Sequence, residues 1–231
     1  AGVEVMQGDM GDQAALERAL KGIERVVLAS PPIPDLPRLE ATVFDAMQAA
    51  GISRLVKCSA AGADPQSPDV FARLHYESEQ RVLAMGFDHT FVRPVFYMQN
   101  VLDWADAIRH CGQFCTPMPA EAPTAMVDLR DHGAVAATIA MTDGHIGKAY
   151  VSMNPVLHTW SEAAETMSRQ LGRTIEYFQG SHDEFLTQIM RAGTTRWAAE
   201  AAANIYAKMG EHRAIVMRQT AECPFGPHTA E

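Results

Sequence analysis

Arg25-Val26-Val27-Leu28-Ala29-Ser30-Pro31-Pro32 and Arg54-Leu55-Val56-Lys57-Cys58-Ser59 are the stretches on which the fold turns. Each is a short apolar run rich in β-branched residues, as expected of a strand covered on both faces. Between them helical periodicity runs over residues 38–50, and Gly51 stops it. A strand, a helix and a second strand form a βαβ unit, which sets both strands parallel in one sheet.

The alternation extends outward from there. Upstream, residues 3–7 read as a strand running into Gly8-Asp9. Asp12 is placed to cap a helix reaching Lys21, with Ala15, Leu16, Ala19 and Leu20 on one face. Downstream, a loop of Gly, Ala, Asp and Pro leads to a helix over 70–85 closed by Gly86, then a strand over 89–97. After residue 100 the pattern loosens. A helix over 101–111 precedes Pro117, Pro119 and Pro123, then a strand over 125–129, with Asp131 as cap of a helix over 133–141. Strands are expected at 149–153 and 174–178. Helices are expected at 161–171 (capped by Ser161), 181–191 and 196–209. The fold expected is α/β. A doubly wound parallel sheet occupies residues 1–112, and a smaller mixed α+β substrate lobe occupies 113–231. A strand and helix near 124–154 return from that lobe to the core. No repeat, low-complexity tract or flexible linker separates the two.

With 47% hydrophobic and 20% charged residues, the 231-residue chain has an ordinary globular composition. Its net charge is −9 and no Lys/Arg-rich run occurs, so the electrostatic footprint of a nucleic-acid binder is missing. No apolar stretch is long enough to span a bilayer. The chain opens Ala1-Gly2-Val3-Glu4, without the basic start and apolar run of a signal peptide. The lack of an initiator Met fits a chain cut from something longer. A cytoplasmic protein, monomer or homodimer, with no nucleic-acid or membrane partner is expected. Cys111 and Cys115 are spaced to share one helix face, but Cys58 and Cys223 form no second pair with zinc-ligand spacing. Reduced thiols and no metal are expected.

A doubly wound sheet takes its ligands at the carboxyl ends of its strands. Asp9 follows the first strand. Its carboxylate can accept from an adenine amino group, or it is a turn residue. Ser30, Pro31 and Pro32 follow the second, where the prolines stiffen the loop into a wall for a flat ring or simply make it rigid. Ser59 follows the third, and its hydroxyl can orient a substrate carbonyl. His75 lies on the next helix, where a lone His is more often structural than catalytic.

In order and spacing, these blocks together resemble the NmrA-like atypical short-chain dehydrogenase/reductases, a family that includes NAD(P)H-dependent quinone and triphenylmethane-dye reductases. The blocks are Gly2 through Asp9, Val26 through Pro32, Leu55 through Ala60, His75-Tyr76-Glu77-Ser78-Glu79, Thr90 through Asn100 and Val127-Asp128-Leu129-Arg130-Asp131. The resemblance implies a Rossmann-like sheet and an NADP or NAD cofactor. It also implies that residues 3–7 are the third strand of the fold, not its first. The family fold opens with a strand, a Gly-rich turn and a helix. No G-x-G-x-x-G occurs here, and Gly8 and Gly11 flank a carboxylate that is wrong for cradling phosphate. By the resemblance the first β-α-β and its phosphate loop are missing from the sequence. So is the position after the second strand that selects NADP over NAD.

A second departure concerns catalysis. Standard members of the short-chain dehydrogenase/reductase superfamily use a Tyr, a Lys four residues later and an upstream Ser. In related sequences a Glu follows the Lys by four and precedes an Arg-Pro by fourteen. Glu79 and Arg93-Pro94 hold that spacing, which puts His75 in the Lys position and Phe71 in the Tyr position. The usual proton donor is absent. The resemblance therefore implies direct hydride transfer to a quinone-like or dye-like small-molecule acceptor that needs little proton help. His75 and Ser59 are the implied catalytic groups. Asp9, Ser30, Pro31, Pro32, Ser59, His75, Pro94 and Tyr97 would meet the cofactor, and Phe96, Tyr97, Met98 and Asn100 the acceptor. Phe96 to Met98 are equally the composition of a plain core segment. The alternative function is a non-catalytic NAD(P)-sensing regulator acting through a partner protein.

Overall fold

A computed structural model describes residues 3–208. Four parallel strands form the main sheet in the order β1 (Arg25–Leu28), β2 (Arg54–Cys58), β3 (Asp88–Pro94) and β7 (Lys148–Ser152). Registers run Val27↔Val56, Lys57↔Phe91 and Val92↔Tyr150. One face carries helices α2 (Leu36–Ala49) and α3 (Val70–Met85), which bury Val43, Phe44, Met47 and Val82 against Leu28, Leu55 and Phe91. The opposite face carries α5 (Leu129–Met141), whose Ala136 and Ile139 pack on Val56, Val92 and Tyr150.

α3 is the best-determined element. Asp69 accepts from the Phe71 amide at its start, and Gly86 takes φ 73° at its end, which costs glycine nothing. α1 (Gln13–Ala19) begins at Asp12, whose carboxylate accepts from the Ala14 and Ala15 amides.

Beyond β3 a 3₁₀ helix (Met98–Trp104) and α4 (Ala105–Cys111) lead into a second layer. There β4 (Phe96–Tyr97) pairs with β6 (Met126–Val127), and β5 (Gln113–Thr116) pairs with β8 (Glu176–Gln179). Helices α6 (Trp160–Leu171), α7 (His182–Arg191) and α8 (Arg196–Ala207) complete this layer. Its core is aromatic: Trp104 stacks on Phe114 at 4.9 Å, and Trp160 stacks on Tyr177 at 5.9 Å.

Several local expectations are corrected. Residues 3–7 form no strand, and Val3 and Val5 are exposed. A strand exists only by pairing. No described strand pairs with residues 3–7. Asp128, not Asp131, caps α5, because its carboxylate accepts from the Arg130 amide at 2.7 Å. Thr159, not Ser161, caps α6 through a reciprocal box with Glu162. Cys111 ends α4 and Cys115 lies in β5, so no helix face holds both. Met209 and Cys223 lie outside the described residues.

Candidate functional site

Side-chain alternation builds the site. Along β2, Leu55 and Lys57 point to the α2/α3 side, while Val56 and Cys58 point to α5. The same period carries Ser30, Ser59 and Arg93 to the α2/α3 side at the carboxyl ends of β1, β2 and β3. On α3, His75, Ser78, Glu79 and Val82 follow helical spacing and so share one face. Polar groups therefore meet where the strands end, directly beyond the apolar core.

Two neighbouring networks result. In the first, the fully buried Lys57 sits between α2 and α3. Its ammonium donates to Glu40 Oε1 at 3.0 Å and Oε2 at 2.9 Å, to His75 Nδ1 at 3.0 Å and weakly to the Cys58 carbonyl at 3.5 Å. Glu40, also fully buried, accepts in addition from Ser30 Oγ at 2.7 Å and from Ser78 Oγ. In the second, Glu79 accepts from Ser59 Oγ at 2.5 Å and from Arg93 through two nitrogens. Buried charges of this kind persist only when paired and hydrogen-bonded, and every one of these is.

The electrostatics fix the state of His75. Burial first, and then the Lys57 charge, push its pKa from 6.5 down to about 3, so the ring is neutral across the physiological range. Nε2 has no hydrogen-bond partner among the described residues.

The sequence-expected residues divide. Ser30, Ser59 and His75 are brought together through these networks. Pro94 is tied to them as the last residue of β3, its carbonyl accepting from the Ala61 amide at 2.9 Å. The Ser59 hydroxyl, however, donates its hydrogen bond to Glu79, so it is not free to donate to a substrate carbonyl. Pro31 and Pro32 are exposed in the loop after β1. Asp9 is exposed and serves a turn, with Oδ1 accepting from the Gly11 amide at 2.7 Å.

The expected acceptor wall also divides. Phe96 turns into the aromatic core against Trp104, Trp160 and Tyr206, and Met98 packs on the same cluster. The core alternative describes them. Tyr97 points elsewhere, with its ring edge-on to His132 at 5.6 Å, and burial raises its hydroxyl pKa. His132 is buried with neither ring nitrogen partnered. Asn100 lies in the 3₁₀ helix, half-buried.

Sequence reasoning missed Glu40, Lys57 and Ser78. A signal existed for Lys57, a cation at an inward position of an otherwise apolar strand. Glu40 gave none, since a carboxylate on an amphipathic helix is ordinarily solvated.

Comparison with known proteins points to one family. The NmrA-like family pattern matches residues 1–222. A "(4-alkanoyl-5-oxo-2,5-dihydrofuran-3-yl)methyl phosphate reductase" of Streptomyces griseus is 41% identical over 82% of this chain, which spans 66% of that protein. An NAD(P)H azoreductase of Xenophilus azovorans is 32% identical over 89% of this chain and 72% of its own length. Among solved structures, an NADPH-dependent quinone oxidoreductase from Escherichia coli, complexed with NADPH, superposes with a TM-score of 0.79. It is 27% identical and covers 99% of this chain and 81% of that one.

Proposed function

The chain belongs to the NmrA-like family, and on that footing we propose that it is an NAD(P)H-dependent oxidoreductase transferring hydride to a quinone-like or dye-like acceptor. The observation that carries the reading is a neutral His75 with an unpartnered Nε2, held at the carboxyl ends of the parallel strands. That edge of a doubly wound sheet is where dinucleotides and their reaction partners sit. The similar proteins reduce an unsaturated lactone, an azo compound and a quinone by name, all conjugated and electron-poor.

The residues fit one half of the cofactor. His75 presents an uncommitted ring nitrogen suited to the nicotinamide-ribose side, with Ser30 linked to it through Glu40 and Lys57. The described residues contain no Gly-rich turn between strand and helix to cradle a pyrophosphate. Bound NAD(P)H supplies the hydride. What this chain supplies is position, exclusion of water and a hydrogen-bond donor at His75. No described helix is long and apolar enough to cross a membrane, and the substrates proposed are small molecules.

The test is oxidation of NAD(P)H by the purified protein with a naphthoquinone and a cationic triphenylmethane dye, followed by loss of reduced-nicotinamide absorbance. Acceptor-dependent oxidation is expected. Tight cofactor binding without turnover on either acceptor would replace the reading with a non-catalytic NAD(P)-sensing role.

A further inference from the structure

We propose that Lys57 is a positioning residue that fixes His75 as its Nε2–H tautomer, so that the histidine serves the cleft as a hydrogen-bond donor and not as a base. The inference rests on the reductase reading and deepens it by giving His75 one definite state.

Donors and acceptors around Lys57 fix the ring's protonation. An ammonium has three N–H donors and no lone pair. Lys57 Nζ is within reach of three acceptors: the Glu40 carboxylate, His75 Nδ1 and the Cys58 carbonyl. Facing an ammonium at 3.0 Å, Nδ1 can only accept. In a neutral imidazole the proton then resides on Nε2. That nitrogen has no partner among the described residues, so its N–H is not committed to any described group.

Lys57 is itself held from the other side. Glu40 neutralises it, and the Ser30 and Ser78 hydroxyls occupy the remaining lone pairs of that carboxylate. The charged pair has no solvent exposure, so water cannot exchange into either role. Three elements, β2, α2 and α3, thus converge on a single ring nitrogen.

The chemical use follows. When hydride reaches a quinone or a related conjugated acceptor, negative charge grows on the acceptor oxygen. A preorganised N–H aimed at that atom stabilises the charge. A histidine free to carry its proton on either nitrogen would present a lone pair part of the time, which repels the same charge.

The test reads the tautomer directly, without cofactor or acceptor. Long-range ¹H–¹⁵N correlation on labelled protein, with His75 assigned by its loss in His75→Gln, distinguishes protonated from unprotonated ring nitrogens. Wild type is expected to show an unprotonated Nδ1 and a protonated Nε2 at neutral pH. Lys57→Arg, which keeps a cationic donor, should retain the pattern. The double variant Lys57→Met/Glu40→Gln removes both charges, so it leaves no lone buried ion. Its signals should move toward the averaged mixture of tautomers, and kcat should fall on the order of tenfold. An Nδ1–H form or an imidazolium in wild type would overturn the proposal, as would an unchanged pattern in the folded double variant. Either result leaves the reductase reading standing, because turnover is measured separately.

Discussion

Arg93 grips Glu79 with two prongs, Nε to Oε1 at 3.0 Å and a terminal nitrogen to Oε2 at 2.6 Å, and so ties β3 to α3 beside the site. Glu79 is only 1% exposed, and its first oxygen also accepts a hydrogen bond from the Ser59 hydroxyl. Removing one partner strands a buried charge. Arg93→Met is therefore expected to cost about 3–5 kcal/mol, and Arg93→Met/Glu79→Gln distinctly less than the sum of its singles. Urea unfolding midpoints measure both, and strict additivity would show that the two groups do not couple.

Ser59 and His75 separate by role. Ser59→Ala removes a hydroxyl committed to Glu79, so about 1 kcal/mol of stability should go. His75→Phe removes the donor facing the cleft, and kcat should drop about a hundredfold. The two variants together, assayed on one quinone, are expected to show the smaller kcat loss at Ser59. The reverse order would place the Ser59 hydroxyl against the acceptor.

His75 also leaves a mark on acid stability. Its pKa of about 3 in the folded chain lies below its ordinary 6.5, so between those values the unfolded chain binds a proton that the native one does not. The contribution is whole above pH 6.5 and drains away as pH falls toward 3. Asp69 has the opposite slope: burial raises its pKa from 3.8 to about 6, so its contribution falls as pH rises through that window. Comparing wild type with His75→Gln isolates the histidine. The variant should lose less stability than wild type on going from neutral pH to the acid side of that window. Equal losses would mean that His75 titrates in the fold as it does in the unfolded chain.

The strands and helices of the main sheet were legible because short apolar runs and helical periods are local signals. The expected helix over 70–85 matches α3 to the residue, since Asp69 and Gly86 mark both ends chemically. The caps at Asp128 and Thr159 were misplaced by two or three residues because neighbouring polar residues compete for the role. Residues 3–7 carry strand chemistry without a partner, and pairing is not a local property. In the site, Ser30, Ser59 and His75 follow from strand ends. The Lys57–Glu40 contact joins residues seventeen apart on different elements, and only the packing of α2 on the sheet brings them together.

Both flanks of the main sheet lack a further described strand, and one of them is β1. On that side the peptide groups of Arg25–Leu28 face outward, while Val27 keeps 47% of its surface. Such a flank is a vacant berth for main chain. An extended segment laid against it would gain a ladder of hydrogen bonds and cover apolar surface in one move.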